Sequence, residues 1–337
     1  MRKIIPLALL FLSTQLKAQI TPTAFTTFNY TNNKCSGFTH TNGSLLYVPN
    51  NSFCYEDGSA CNDSIVLKYR ELHSQTDMFV NKLNMFVKRN GKNQMLESAG
   101  MFEIKAECNG KPLKICQGKT IQVRFKSKRN LPNLQAFKYD FAQNMWVDYG
   151  KVFDFSYNKK NPPNTSNLWG NANLPAADTA DYNLENEGYN STAIVWGEYL
   201  PLDLPDGVFK GMNINTIGIY NYDAVINDQN AIAFIPDFSV NSGNEIGEIC
   251  VAYEKKNTLV KYIPDDFAER FVLLNEKGIK IFTQLSDGSF AVLKEGTLDA
   301  IDLTKLKGTT FKMVLEKQPL KPKTIAELAK VTKMNAN

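Results

Sequence analysis

From Ile65 to Leu72 the chain reads IVLKYREL, and this alternation of apolar and polar residues constrains the fold more than any other feature. Successive side chains leave a strand on opposite sides, so a period of two marks a strand with one buried face. SLLYV (44–48), MFEIKAE (101–107), TIQVRFK (120–126), LQAFKYDF (134–141) and MWVDYG (145–150) continue the pattern. Turn signals at Asn90-Gly91, Ala99-Gly100 and Asn109-Gly110 separate these runs. Short strands broken by Gly, Asn and Pro predict a β-sandwich, here over residues 43–157.

A second set of strand-like runs begins near Ala193. It includes AIVWGEYLPL, GVFKGMNINTIGIYNYD, AIAFIPDF, EICVAYE and TLVKYIP, then a meander from Glu269 to Gly296 and TFKMVLEK. The expected fold class is therefore all-β, with two sandwich-like domains at 43–157 and 193–317. Residues 158–192 between them are rich in Asn, Pro, Gly and acid and read as an irregular polar linker. Asp178, Asp181, Glu185 and Glu187 in that stretch lack the fixed spacing of a calcium loop and read as a solvated acidic segment. The lysine-rich stretch 318–337 is a basic tail in which TIAELAKV suits a short helix.

The N-terminus sets the compartment. Arg2 and Lys3 precede a short apolar run, Ile4 to Leu12, and Ala18 offers a small residue before Gln19. This is the layout of a secretory signal peptide over 1–18, followed by an N-terminal segment at 19–42. The run is too short for a permanent membrane span, so no transmembrane segment is expected after signal removal. Removing the segment takes away Arg2, Lys3 and Lys17 and no acid, so the formal charge falls from +4 to about +1. Near-neutrality excludes the basic footprint of a nucleic-acid binder. The expected location is exported: periplasm, outer-membrane surface or extracellular space.

Six cysteines in an exported chain predict disulfides, with 15 possible pairings. Spacing suggests local staples. CYEDGSAC would pair Cys54 with Cys61 around Asp57-Gly58, and CNGKPLKIC would pair Cys108 with Cys116 around Asn109-Gly110. Cys35 and Cys250 remain and would join the N-terminal segment to the second domain. Each short staple would add only about 2–3 kcal/mol. Neither spacing matches a zinc site, and there is no CxxC, so no metal or cofactor is expected.

Reactive chemistry is sparse. The only histidines are His40 and His73. His73 neighbours Ser74 and Asp77, but adjacent strand residues point to opposite faces, so it reads as a polar histidine at a strand end. No nucleophile elbow, P-loop, HExxH or dinucleotide fingerprint is present. Arg70-Glu71 and Glu97-Ser98 suit a polar network or a buried ion pair across the sandwich. Trp146, Trp169, Trp196, Tyr220 and Tyr222 could line a sugar platform or fill a core. Trp169, in the polar linker, hints at a contact surface.

Four stretches of the first region carry a resemblance. They are Gly43–Pro49 (GSLLYVP), Val66–Leu72 (VLKYREL), Glu97–Ile104 (ESAGMFEI) and Gly118–Val123 (GKTIQV). In this order they resemble a recurrent module of secreted β-sandwich proteins in Bacteroidetes-type bacteria. More distantly they are similar to the sandwich of the ankyrin spectrin-binding region, a scaffold without a catalytic site. Gly218–Asp223 (GIYNYD) resembles the element that follows that module. The resemblance spans about two thirds of the chain and implies no activity. It leaves the added cysteines as a departure.

The expected role is a structural or adhesive binding module of the cell envelope, facing a protein or glycan partner and catalysing nothing. The alternative is a glycan- or peptidoglycan-active enzyme using a carboxylate pair, whose placement is set by space rather than by sequence.

Overall fold

The computed structural model describes residues 20–157 and 207–336, apart from residues 90, 151, 228, 230 and 270. The chain is all-β, with short helices at its seams. The predicted signal peptide, the 158–192 linker with its four acids, Trp169 and Trp196 lie outside the described residues.

Two sheets form the sandwich. The larger one runs, in order, Thr26–Thr31, Ser64–Leu72, Lys92–Cys108, Gly218–Val225, Gln135–Asp140, Met145–Gly150 and Phe86–Arg89. Phe86–Arg89 also pairs with the start of the 17-residue strand Lys92–Cys108, so this end of the sheet closes on itself. The smaller sheet runs Phe153–Tyr157, Gly207–Ile214, Ile121–Lys126, Leu45–Val48 and Ser36–Thr39. Leu46, Leu67, Tyr69, Phe102, Phe125, Met212 and Tyr222 fill the space between the sheets.

Strand placement revises the expected boundaries. Gly207–Ile214 and Gly218–Val225, expected in the second region, pair with Ile121–Lys126 and Lys92–Cys108 and lie inside the sandwich. GIYNYD is buried on both faces, so it needs the sandwich core on one side and the neighbouring core on the other. Segment 19–42 also contributes two edge strands. Ala99-Gly100 is not a turn: the strand continues through it with a shift of register against Gly218–Val225, and Gly100 lies at φ +132°.

A six-stranded sheet follows, ordered Ile235–Val240, Thr310–Lys317, Phe290–Leu293, Ile279–Gln284, Ile249–Tyr253 and Thr258–Tyr262. One continuous core joins it to the closed end of the sandwich sheet, with Trp146 and Phe137 on one side and Val251 and Phe282 on the other. Helix Gln75–Val80 sits at this seam. Ser74 caps it reciprocally with Asp77, satisfying two otherwise unpaired amides. The tail is docked rather than free: helix Ile325–Thr332 buries Leu328 and Val331, and the Asn335 amide donates to Gln75 Oε1. Among the described residues, no helix is long and apolar enough to cross a membrane.

Candidate functional site

In strand Ser64–Leu72, Ile65, Leu67 and Tyr69 face the sandwich core, and Glu71 falls in phase with them. The alternation that builds the strand thus carries a carboxylate inside. Its side chain has no exposed surface, and an unpartnered charge there would cost several kcal/mol. The sequence supplies partners from three segments. His73, just past the strand, places Nε2 2.7 Å from Glu71 Oε2. His40, before the turn that ends at Gly43, places Nδ1 3.4 Å from Oε1. Asn42 Nδ2 donates at 2.9 Å and the Tyr69 hydroxyl at 3.2 Å. Burial pushes the Glu71 carboxyl up, but bonds from His40, His73, Ser44 and Asn42 outweigh it and hold the group well below the usual range.

Both histidines are thus spent on one carboxylate, with side-chain exposures of 8 % and 5 %. The His73 ring stacks on Phe125 with centroids 5.3 Å apart, and the His40 ring meets Tyr69 edge-on. His73 is therefore not a solvent-facing strand-end residue. Ser74 is no nucleophile for it, because its hydroxyl bonds Thr76 and Asp77 at the helix cap. The histidine's backbone continues the network: its amide donates to Asp77 Oδ2, and its carbonyl accepts from Asn257 of the adjoining hairpin.

The other polar candidates separate by face. Arg70 points away from Glu71 and makes a buried ion pair with Glu103, donating from Nε at 2.7 Å and from Nη2. Its guanidinium lies over the Phe25 ring. Ser98 bonds Asn221, which in turn donates to Asp223. Asp223 is fully buried, and desolvation pushes its carboxyl well above the ordinary range. Glu97 faces outward, with Oε1 held by Arg129 at 2.8 Å and Oε2 by Lys256 at 3.0 Å. Arg129 also donates to the carbonyls of Ser98, Lys255 and Lys256, clamping the sandwich to the neighbouring sheet.

Glu97 and Glu276 line a cleft of about 420 Å³ at this clamp. Burial raises the Glu276 carboxyl, Lys256 and Lys255 lower it, and Glu97 raises it. Trp146, Tyr220 and Tyr222 are fully buried and pack the cores, so they line no sugar platform. Among the described residues, no group of three or more His, Cys, Asp or Glu side chains is arranged to hold a metal ion.

The cysteines pair across loops rather than within them. Cys54 bonds Cys116, with Cα atoms 5.4 Å apart, and Cys61 bonds Cys108, at 6.4 Å. This corrects the local pairs Cys54–Cys61 and Cys108–Cys116. Register is the reason. Phe53 and Cys54 form a short ladder with Ile115 and Lys114, and Ile65 sits opposite Cys108. Each loop therefore lies against the other, and the two bonds stitch them together. Cys35 and Cys250 are not paired: Cys35 is partly exposed on the N-terminal segment, while Cys250 is buried in the six-stranded sheet.

Comparison of the chain with protein-family models, curated proteins and solved structures yields no match. The sequence reading missed the His40–Glu71–His73 cluster. One signal was present: a glutamate in phase with Ile65, Leu67 and Tyr69 belongs on a buried face. Only the fold brings the two histidines to it.

Proposed function

We propose that the protein is exported and acts as a structural or adhesive binding module of the cell envelope, facing a protein or glycan partner and catalysing nothing. The observation that carries this reading is the buried His40–Glu71–His73 cluster. The chain's two histidines, its readiest proton-transfer groups, serve a carboxylate inside the sandwich. The two nested disulfides support an oxidising compartment.

The test is protease shaving of intact cells with non-reducing peptide mapping. Release of fragments linked as Cys54–Cys116 and Cys61–Cys108 is the expected result for a surface module. Protection until the outer membrane is broken would move the protein to the periplasm and count against an adhesive role. Free cysteines throughout would overturn export.

A second reading is a glycan- or peptidoglycan-active enzyme, favoured by the shared placement of Glu97 and Glu276 at one cleft. The ion pairs on both oxygens of Glu97 count against it, because they direct the carboxylate to the clamp's two cations rather than to a substrate. Release of reducing ends from glycan or peptidoglycan, abolished by Glu276→Gln, would decide for the enzyme.

A further inference from the structure

We propose that the cleft between the sandwich and the neighbouring residues Lys256 and Leu274–Glu276, rimmed by Asn133, Asn227 and Asn275, binds a neutral oligosaccharide. The inference rests on the binding-module reading above and gives it a ligand class and a place. The cleft's volume, about 420 Å³, lies within the ~300–1,000 Å³ of ordinary small-molecule sites. Its walls come from separated parts of the chain: residues 131–135, the end of strand Gly218–Val225, and residues 274–276.

The lining chemistry selects the ligand. Each asparagine amide carries both donors and acceptors, the complement of a sugar hydroxyl. Asn227 already accepts the Gln229 amide through Oδ1, which leaves its nitrogen to donate. Leu131, Pro132, Val225 and Leu274 add apolar surface against which the C–H face of a sugar ring can lie. Formal charges at the cleft cancel: Arg129 and Lys256 stand against Glu97 and Glu276, and both cations are tied to Glu97. A balanced cleft holds neither a polyanion nor a polycation by long-range attraction. A purely apolar ligand would strand the amides without partners. An uncharged, polyhydroxylated chain satisfies both conditions.

The site is also preformed. Arg129 bonds Glu97, Ser98, Lys255 and Lys256 at once and fixes the two walls against each other. Little ordering is then left for the ligand to impose.

The experiment is titration calorimetry of the full exported chain with linear hexasaccharides of glucose, mannose and N-acetylglucosamine, plus a hexagalacturonate control. The double variant Asn133→Ala/Asn275→Ala is run beside the wild type. Both positions are exposed, and its urea midpoint serves as the folding check. The expected result is binding of at least one neutral hexasaccharide, weakened about tenfold or more in the variant. The proposal is overturned if no neutral hexasaccharide binds, if the uronate binds best, or if the variant binds like the wild type. If no sugar binds while shaving still places the chain at the surface, this inference fails and the module reading stands. If a bound sugar is cut, the non-catalytic reading fails and the cleft remains.

Discussion

His73 Nε2 lies 2.7 Å from Glu71 Oε2, between the sheets of the sandwich. The pair joins the end of a core strand to the segment that caps helix Gln75–Val80. That helix in turn bonds the C-terminal segment and the Thr258–Tyr262 strand through Gln75. A polar contact inside one unit thus helps set the position of its neighbour.

Glu71→Ala leaves two buried imidazoles without their carboxylate. It is expected to cost about 3–5 kcal/mol in urea unfolding, with Glu71→Gln retaining part of that. The pH dependence follows from the depressed Glu71 carboxyl. Its contribution is present above the unfolded value, near the ordinary 4.5, and is lost as pH falls through the lower folded value. Wild-type stability should therefore drop more steeply below about pH 4.5 than that of Glu71→Gln, and parallel curves would refute the linkage.

Gly100 holds the same region together by being small. A Cβ there would lie 2.5 Å from the Phe125 ring and 3.2 Å from His73 Nδ1, at φ +132°. Gly100→Ala is expected to cost more than about 2 kcal/mol, through both overpacking and backbone strain. Gly110→Ala, where no atom lies within 4 Å, should cost about 1 kcal/mol from its positive φ alone. Equal losses in denaturation curves would contradict the packing argument.

The nested disulfides close loops of 62 and 47 residues, far longer than local staples would. Because the Cys54–Cys116 loop encloses the Cys61–Cys108 loop, removing either bond alone by paired Cys→Ala substitution should cost about 3 kcal/mol, and removing both together about 7. A thiol assay supplies a second check. Cys35 should react in the folded protein and Cys250 only after unfolding, since burial pushes the Cys250 thiol up and covers it.

Arg129→Ala removes the clamp between the sandwich and the six-stranded sheet and leaves Glu97 with Lys256 as its one remaining cation. A loss of about 2–4 kcal/mol is expected. Arg129→Lys should not restore it, because a single ammonium cannot reproduce the guanidinium fork that serves four partners. Faster proteolysis near Lys255 in both variants would accompany the loss.

The period-two runs were enough to read the all-β class, and IVLKYREL placed its own core face. Partners across the sheets were not legible. GIYNYD reads as a strand wherever it lies, and only pairing with Lys92–Cys108 puts it inside the sandwich rather than beyond the polar stretch. The cysteines failed for the same reason. Spacing encodes what is near in sequence, whereas the ladder of Phe53–Cys54 with Lys114–Ile115 brings together what is near in space. Arg70-Glu71 and Glu97-Ser98 suit one polar network across the sandwich, but strand geometry sends Arg70 and Glu71 to opposite faces and to unrelated partners.

Both of the chain's histidines are held inside the sandwich as partners of Glu71. Diethyl pyrocarbonate labelling, read by mass spectrometry on folded and urea-unfolded protein, tests this directly. With side chains 8 % and 5 % exposed, His40 and His73 should be modified at least about tenfold more slowly when folded. Rapid modification of either one in the folded protein would place a reactive imidazole at the surface and contradict the account.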